Sequence, residues 1–210
     1  MSSAQVLAIW APHLAALFLP VVAMVFLVTA PHTGWVAFLM VAIPGLAMQL
    51  ADRFGGKQLH APRPDLPAWP FDVLLHLLFA IQLVNIGLLG RFFSLQSFWS
   101  VDALVAIVVV GASSGYSGIV VAHELIHRRS SVQRWLGRAL LCAVMYEHFY
   151  TEHLRGHHVR VGTPEDPATA RFGESFTRFY LRTVPAQFKS AWRIETKRLG
   201  DEGMSLYDSR

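Results

Sequence analysis

Charged residues are scarce in this 210-residue chain, and no Asp, Glu, Lys or Arg occurs before Asp52. Charged residues make up 15% of the sequence, whereas apolar residues make up 53% and the mean hydropathy is +0.39. This balance excludes an ordinary soluble domain and favours a membrane protein. A cleaved signal peptide needs a basic segment and a small-residue cleavage site, and neither is evident. We therefore expect the apolar start to be retained as transmembrane helix.

Cysteine is nearly absent as well. The single Cys142 excludes an intrachain disulfide and a cysteine-rich metal site. It lies in the apolar run "ALLCAVM", which predicts an inert, packed thiol.

Long apolar runs dominate the first half of the chain. A spanning helix needs roughly 20 mostly apolar residues. Four segments meet or approach this length, at about 7–29, 35–50, 73–90 and 103–122. They predict an all-α integral membrane bundle in which four transmembrane helices form two hairpins, joined by a loop at 53–70. A histidine-rich helical region on the cytoplasmic side follows them.

The basic residues are unevenly placed. Fourteen of the 18 Lys and Arg follow His127, and three lie in the 53–70 loop. The positive-inside rule therefore puts the N-terminus, that loop and the region after His127 on the cytoplasmic side. We divide the chain into transmembrane helices (1–122), a histidine-box metal region (123–170) and a cytoplasmic, interfacial amphipathic segment (171–210). No nucleic-acid motif accompanies the basic residues, so we expect no nucleic-acid partner.

Six of the ten histidines fall within 36 residues. His123 and His127, in "HELIH", are four residues apart, so on a helix their side chains share a face. His153 and His157, in "EHLRGHH", repeat this spacing. His158 follows directly and would point about 100° away on an α-helix. We therefore infer two metal ions, with the adjacent pair divided between them or bridging them.

The sixth of these histidines, His148, lies nine residues before His157 and would face away from it on a continuous helix. We expect it to pack or to orient another residue. The remaining candidate ligands are all imidazoles, which suit zinc, iron, copper and nickel. Five or more histidines are too many for one catalytic zinc, which needs only three protein ligands. A pair of non-haem irons fits better.

Carboxylates near the histidines would moderate the charge of two metal ions. We expect three of them to accept hydrogen bonds from ring N–H groups: Glu124, Glu152 and Asp166. Asp166 lies in "TPEDP", where a turn or capping role is an equal alternative.

His-Glu-x-x-His is also typical of zinc proteases, in which Glu124 would be the general base and His123 and His127 would hold zinc. An intramembrane protease would take its third ligand from another membrane helix, and no Asp-Gly candidate occurs in an apolar segment. That interpretation also leaves "EHLRGHH" unexplained. It remains an alternative of another class.

These residues carry a resemblance that covers essentially the whole chain. The boxes "HELIH" and "EHLRGHHVRVGTPEDPATA", preceded by "FYTEH" and followed by "GESFTRFYLRTVPAQFKSAWRIE", resemble the membrane-bound alkane monooxygenases. This family lies within the wider membrane fatty-acid desaturase and hydroxylase superfamily. The two hairpins before the first box fit it as well.

The resemblance implies two iron ions on the cytoplasmic side of the bacterial inner membrane. They activate O2 and hydroxylate the terminal carbon of an alkane by hydrogen abstraction and hydroxyl return. Electrons come from rubredoxin and rubredoxin reductase. Carried over by position, the iron ligands would be His123, His127, His153, His157 and His158.

The family's later helices and remaining histidine boxes are not in this sequence. Five ligands do not complete a site of eight or nine histidines, so we expect this chain alone neither to retain two irons nor to hydroxylate alkanes. A related membrane hydroxylase or fatty-acid desaturase is the nearest alternative, and a non-catalytic truncated remnant is another.

Overall fold

The structure is a computed structural model that describes residues 3–55 and 66–205. Its described residues form helices and turns without strands, which confirms the all-α class. The chain forms two compact units, Met1–Leu140 and Leu141–Arg210. Unit 1 contains α1 (Ser3–Trp10), α2 (Ala11–Thr29), α3 (Trp35–Phe54), α4 (Trp69–Leu95), α5 (Val101–Ile126) and most of α6 (Ser131–Ala143). Unit 2 contains α7 (148–160) and α8 (Phe176–Asp201).

Four helices, α2 to α5, are long and apolar enough to cross a membrane, as predicted. Their ends differ from the predicted ones. α3 continues to Phe54, and α4 extends from Trp69 to Leu95 instead of 73–90. The predicted loop at 53–70 is therefore shorter at both ends, and its residues 56–65 lie outside the described part. Polar residues such as Arg53 remain helical because a cation in the last turn is favourable beside the helix dipole.

The start of α5 is capped and tied to the turn between α2 and α3. Ser100 caps the helix, because its Oγ accepts a hydrogen bond from the backbone N–H of Ala103 at 3.0 Å. Asp102 lies in the first turn, where its charge complements the helix dipole. Its Oδ2 accepts the backbone N–H of His32 at 2.6 Å. This contact joins the two predicted hairpins at one end of the bundle.

The core of unit 1 is built around α2, which packs against α4 and α5. Three alanines, Ala23, Ala103 and Ala106, are fully buried there, so the helix backbones approach closely. Phe26 and Phe92 fill the remaining space, with their ring centroids 6.5 Å apart. Many large apolar side chains on the outside of these helices are exposed, as expected for surfaces that face lipid.

Two helices contain π-helical turns, which the sequence did not predict. α5 is π-helical at Ser114–Val120, and α7 is π-helical at Glu152–His157. Such turns insert one extra residue into an α-helix and occur frequently at functional sites. Each of these turns directly precedes or contains one of the histidine boxes.

The stretch "WLGRALLCAVMYEHFYTEH" does not form one continuous helix. α6 ends at Ala143 and α7 begins at His148, with Met145 between them in the left-handed region at φ 54°. A non-glycine residue there breaks the helical hydrogen-bond series. Cys142, predicted to be packed, is exposed at the end of α6.

Unit 2 is built on the packing of α7 against α8. α8 begins after Ser175, whose Oγ accepts the backbone N–H of Arg178 at 3.4 Å. The loop between the helices, including "TPEDPATA", returns to α8 through Thr183, whose Oγ–H donates to the carbonyl of Pro167 at 3.0 Å. The three-part division at residues 122 and 170 stays a prediction.

Candidate metal centre

The first histidine pair lies in the last turn of α5. Leu125 and Ile126 are buried, so the opposite side of this turn packs within unit 1. The four-residue spacing places the rings of His123 and His127 together, with centroids 4.8 Å apart. Part of the surface of each ring stays accessible, since His123 is half-buried and His127 exposed. This pair therefore has the shared face that the sequence predicts.

The carboxylate between these histidines has an arginine partner. Glu124 Oε1 lies 3.0 Å from Arg128 Nη2, and Asp72 Oδ1 of α4 lies 3.3 Å from the same nitrogen. Both carboxylates remain partly exposed, so each pair contributes little to stability. Their effect is positional, because Arg128 links the end of α5 to the start of α4.

The second histidine cluster is shaped by the π-helical turn of α7. His153 and His158 are five residues apart and would diverge on an α-helix, but the wider turn brings them together. Their Nε2 atoms are 3.1 Å apart. His153 and His157 also stack, with centroids 5.4 Å apart. The adjacent histidines His157 and His158 diverge, with 63° between their ring planes.

This spacing fits a metal ion. Two imidazole nitrogens at right angles on one ion, each about 2.1 Å from it, lie about 3 Å apart. The Nε2 atoms of His153 and His158 have that separation. Two imidazoles of the cluster in unit 2 are therefore close enough to share one metal ion, and imidazole donors suit iron or zinc.

Asp166 fixes the third histidine of this cluster. It is 1% exposed, and its Oδ2 lies 2.9 Å from His157 Nδ1 and accepts from Thr169 Oγ1 at 2.7 Å. Its Oδ1 accepts the backbone N–H of Ala168 at 2.9 Å. Burial raises the pKa of Asp166, but the hydrogen bonds from Thr169, Ala168 and His157 outweigh it and leave the pKa below its ordinary value. The ionised carboxylate accepts the Nδ1 proton of His157, which leaves the Nε2 lone pair for a ligand.

Glu152 forms an ion pair with Arg160, whose side chain is 32% exposed. The Glu152 side chain is fully buried, and its Oε1 accepts from Arg160 Nη2 at 3.0 Å. Arg160 also donates to Ser190 of α8 at 2.9 Å. Burial raises the pKa of Glu152, while Ser190 and Arg160 oppose that rise. The pair ties the histidine-bearing helix to α8, and neither Arg160 nor Ser190 was indicated by the sequence pattern.

Gly156 makes room for this ion pair. A Cβ on Gly156 would lie 2.6 Å from both Glu152 Cδ and Arg160 Nη2, and closer still to Glu152 Oε2. A side chain at this position would fit only if the Glu152 carboxylate and the Arg160 guanidinium moved. The glycine in "EHLRGHH" therefore leaves the space that this ion pair occupies.

His148 packs as expected. Its ring lies 4.5 Å from that of Tyr146 and 5.4 Å from that of Phe188, between centroids. Burial lowers the pKa of His148, with Glu147 opposing this effect. The ring therefore favours its neutral form.

A clamp holds the loop that carries Asp166. Arg182 of α8 donates to both carboxylate oxygens of Glu174 at 2.8 Å, and to the carbonyls of Pro167 and Thr169 at 3.0 and 3.1 Å. The hydrogen bonds from Arg182 lower the pKa of Glu174 to about 2. Sequence reasoning missed this pair, because its members are eight residues apart across a loop–helix boundary.

Acidification should loosen this clamp in a defined pH range. The unfolded chain protonates Glu174 at its ordinary pKa of 4.5, whereas the folded chain does so at about 2. The stabilisation is therefore fully present above pH 4.5 and is lost as the pH falls through 2. Glu174→Gln should remove this part of the pH dependence of the unfolding midpoint, whereas the same change at the exposed Glu165 should leave it in place. Equal pH profiles for wild type and Glu174→Gln would contradict the assignment.

Unit 1 contains a cavity of about 870 Å³ that reaches Glu124 of the first histidine box, while the side chains of His123 and His127 are not part of its lining. Its walls are mainly apolar and include Leu74, Leu78 and Phe71. Glu124 and Arg128 also line it, and they belong to the same helical turns as His123 and His127. An apolar cavity beside this box suits a hydrophobic ligand.

The part of the chain that contains both boxes is similar to known proteins. The fatty acid desaturase family model matches residues 97–203. The chain is 38% identical to alkane 1-monooxygenase 1 of Pseudomonas aeruginosa over 181 residues, which are 82% of this chain and 47% of the relative. It is 31% identical to alkane 1-monooxygenase 1 of Alcanivorax borkumensis over 195 residues, 90% of this chain and 48% of the relative. The hydroxylase component of xylene/toluene monooxygenase from Pseudomonas putida is 32% identical over 101 residues, 45% of this chain and 26% of that protein. The chain thus spans about half the length of the alkane 1-monooxygenases it matches.

Proposed function

The chain belongs to the fatty acid desaturase family, and on this premise we propose that it carries the membrane helices and two histidine boxes of an alkane 1-monooxygenase. The reaction is O2-dependent hydroxylation of the terminal carbon of an alkane, with electrons from rubredoxin and its reductase. The observation that carries the proposal is the apolar cavity that reaches Glu124, the residue directly after His123 in the first histidine box. The four apolar helices and the relatives identify an integral membrane protein.

Two non-haem iron ions would be held by imidazoles. The proposed ligands are the five histidines of the two boxes: His123, His127, His153, His157 and His158. When bound, the irons would supply the activation of O2. The 3.1 Å separation of two ring nitrogens in unit 2 supports this assignment, and so does the carboxylate that fixes His157.

The protein's own residues bind and orient the substrate. An alkane offers no polar group, so its binding depends on removing apolar surface from water. Phe71, Leu74 and Leu78 provide that surface in the cavity. Glu124 and Arg128 form the charged part of the lining. Their ion pair would be unfavourable for a hydrocarbon to contact, so it would limit how far the substrate enters.

We further propose that the histidine boxes face the cytoplasm across a bacterial inner membrane, and that α8 lies at the interface. α8 exposes Phe176, Tyr180, Leu181 and Trp192 together with basic residues such as Lys189. Aromatic rings are enriched at the headgroup level, and basic side chains favour the anionic cytoplasmic leaflet.

A chimera tests the proposed function. This chain would replace the matching region of the Pseudomonas aeruginosa relative, and octane would be supplied with rubredoxin and rubredoxin reductase. We expect 1-octanol from the chimera, and none when His123 or His158 is replaced by alanine. The 210-residue chain alone should give no product and should not retain two irons. Octanol from the chain alone would overturn that expectation, and a folded, iron-loaded chimera without product would overturn the proposed function.

A further inference from the structure

Two amide side chains of α4 are fully buried within the membrane-spanning part of the chain. Gln82 and Asn85 are both 0% exposed. A buried amide in apolar surroundings is costly unless it is hydrogen-bonded, and polar residues inside the membrane are commonly functional. Asn85 Nδ2–H donates to the carbonyl of Pro20 on α2 at 2.9 Å. Gln82 instead contacts α5.

Gln82 bridges two hydroxyl groups on α5. Its Nε2–H donates to Ser114 Oγ at 2.8 Å, and its Oε1 accepts from Ser117 Oγ–H at 2.7 Å. The Ser117 hydroxyl also lies 2.7 Å from the carbonyl oxygen of Ser113, and its single proton serves one acceptor at a time. If the amide is turned over, Nε2 donates to Ser117 and Oε1 accepts from Ser114. Both orientations connect the same two hydroxyls.

Both serines belong to the π-helical turn Ser114–Val120. This turn contains one residue more than an α-helical turn would need. If it relaxed to α-helix, the residues after it would rotate by about 100° about the helix axis. His123 is only three residues beyond Val120, so the direction of the first histidine pair depends on this turn.

We propose that Gln82 is a positioning residue for the first histidine pair. By joining Ser114 to Ser117, it holds the π-helical turn that sets the direction of His123 and His127. Gln82 lies on a different helix and acts on the rings only through the backbone of α5. The inference rests on the proposed role of these histidines as iron ligands.

Asn85 is the control residue, because its amide has no hydrogen bond to the π-helical turn and can affect only helix packing. It is equally buried on the same helix, but its hydrogen bond goes to α2. Gln82→Leu and Asn85→Leu therefore remove similar groups, and only the first removes contacts to the π-helical turn.

The first measurement needs no metal. Hydrogen exchange of the backbone amides at 117–121 would be followed by mass spectrometry in the full 210-residue chain in detergent micelles. In Gln82→Leu we expect exchange in this segment about tenfold faster than in wild type, because the turn opens locally. Asn85→Leu should stay within about twofold there. Unchanged exchange in Gln82→Leu would overturn the proposal.

The second measurement tests whether the imidazole rings of His123 and His127 keep their positions. Co²⁺ alone would be titrated into the same proteins and its d–d absorption recorded. We expect Gln82→Leu to shift this spectrum and to weaken Co²⁺ binding about tenfold, as removal of outer partners of a metal site does. Asn85→Leu should keep the wild-type spectrum. Equal effects of the two variants would reduce Gln82 to a packing residue and overturn the proposal.

Two further variants separate the possible failures. If Gln82→Leu does not fold, the double variant Ser114→Ala, Ser117→Ala removes the same hydrogen bonds from the α5 side and should reproduce its effects. His123→Ala with His127→Ala should abolish the Gln82-sensitive part of the Co²⁺ spectrum. If this pair of changes leaves Co²⁺ binding intact, the metal role proposed for the histidines fails, and the exchange measurement still decides whether Gln82 holds the turn.

Discussion

Replacement of Gly156 by alanine should lower the free energy of unfolding of unit 2 by about 1–3 kcal/mol, the usual cost of adding a methyl group where the space is already filled. The new Cβ would overlap the space of the Glu152 carboxylate and of Arg160 Nη2. Both groups belong to one ion pair, and Glu152 is fully buried. The alanine therefore forces the Glu152 carboxylate and the Arg160 guanidinium to move, which weakens their contact. Thermal unfolding in detergent micelles, followed by circular dichroism, measures the loss.

Gly200 offers the matched control for this change. It lies in α8, and a Cβ there would meet nothing within 4 Å. Gly200→Ala should therefore raise stability by up to about 1 kcal/mol through helix propensity alone. If Gly156→Ala and Gly200→Ala unfold at the same temperature, a side chain at position 156 does not disturb the ion pair, and the prediction is wrong.

Removal of the Asp166 carboxylate should weaken metal binding by about tenfold to a hundredfold, the usual effect of losing the partner of a ligating histidine. Asp166→Ala frees the ring of His157 to turn and leaves Nδ1 without its acceptor. The hydroxyl of Thr169 and the N–H of Ala168 lose their acceptors as well. The loop that supports the histidine cluster should therefore lose order together with metal affinity. Anaerobic Co²⁺ titration of the 210-residue chain measures that affinity.

Two other variants sharpen this test. Asp166→Asn keeps one acceptor oxygen, so it should retain more stability than Asp166→Ala but still weaken the metal site. Glu165→Ala removes the same charge one residue away at an exposed position and should change neither property. Wild-type Co²⁺ affinity in Asp166→Ala would show that His157 needs no carboxylate partner.

The four membrane helices could be predicted because membrane crossing depends on length and apolarity, and both are visible in one sequence. The ends of the helices were harder to predict. α4 continues through Arg91 to Leu95, since backbone hydrogen bonding continues past the apolar run. The spacing of His123 and His127 likewise predicted a shared face, because α5 ends as a regular α-helix.

The second box shows the limit of such reasoning. Regular α-helix geometry pairs His153 with His157 and separates His158 from both. The π-helical turn of α7 instead brings the Nε2 atoms of His153 and His158 together. A π-helical turn depends on packing against other helices, so no local residue pattern indicates it.

The carboxylates were only partly accessible to prediction. Asp166 Oδ2 lies 2.9 Å from a ring nitrogen of His157, and its role at a metal site stays a prediction. Glu124 and Glu152 form ion pairs with Arg128 and Arg160. The pair of Glu152 and Arg160 spans eight residues and contacts a second helix through Ser190, so it cannot be predicted from spacing. The role predicted for these two glutamates towards the histidine rings stays a prediction.

The widened turn of α5 also governs how related chains should be compared. Because Ser114–Val120 contains one residue beyond regular helix, the interval from Asp102 to His123 is one residue longer than the same rise of α-helix would require. In a sequence alignment, a homologue with a regular α-helix there would match both Asp102 and His123 only if it had a single-residue gap between them. The correct position for that gap is inside this turn, where it leaves the histidines in phase.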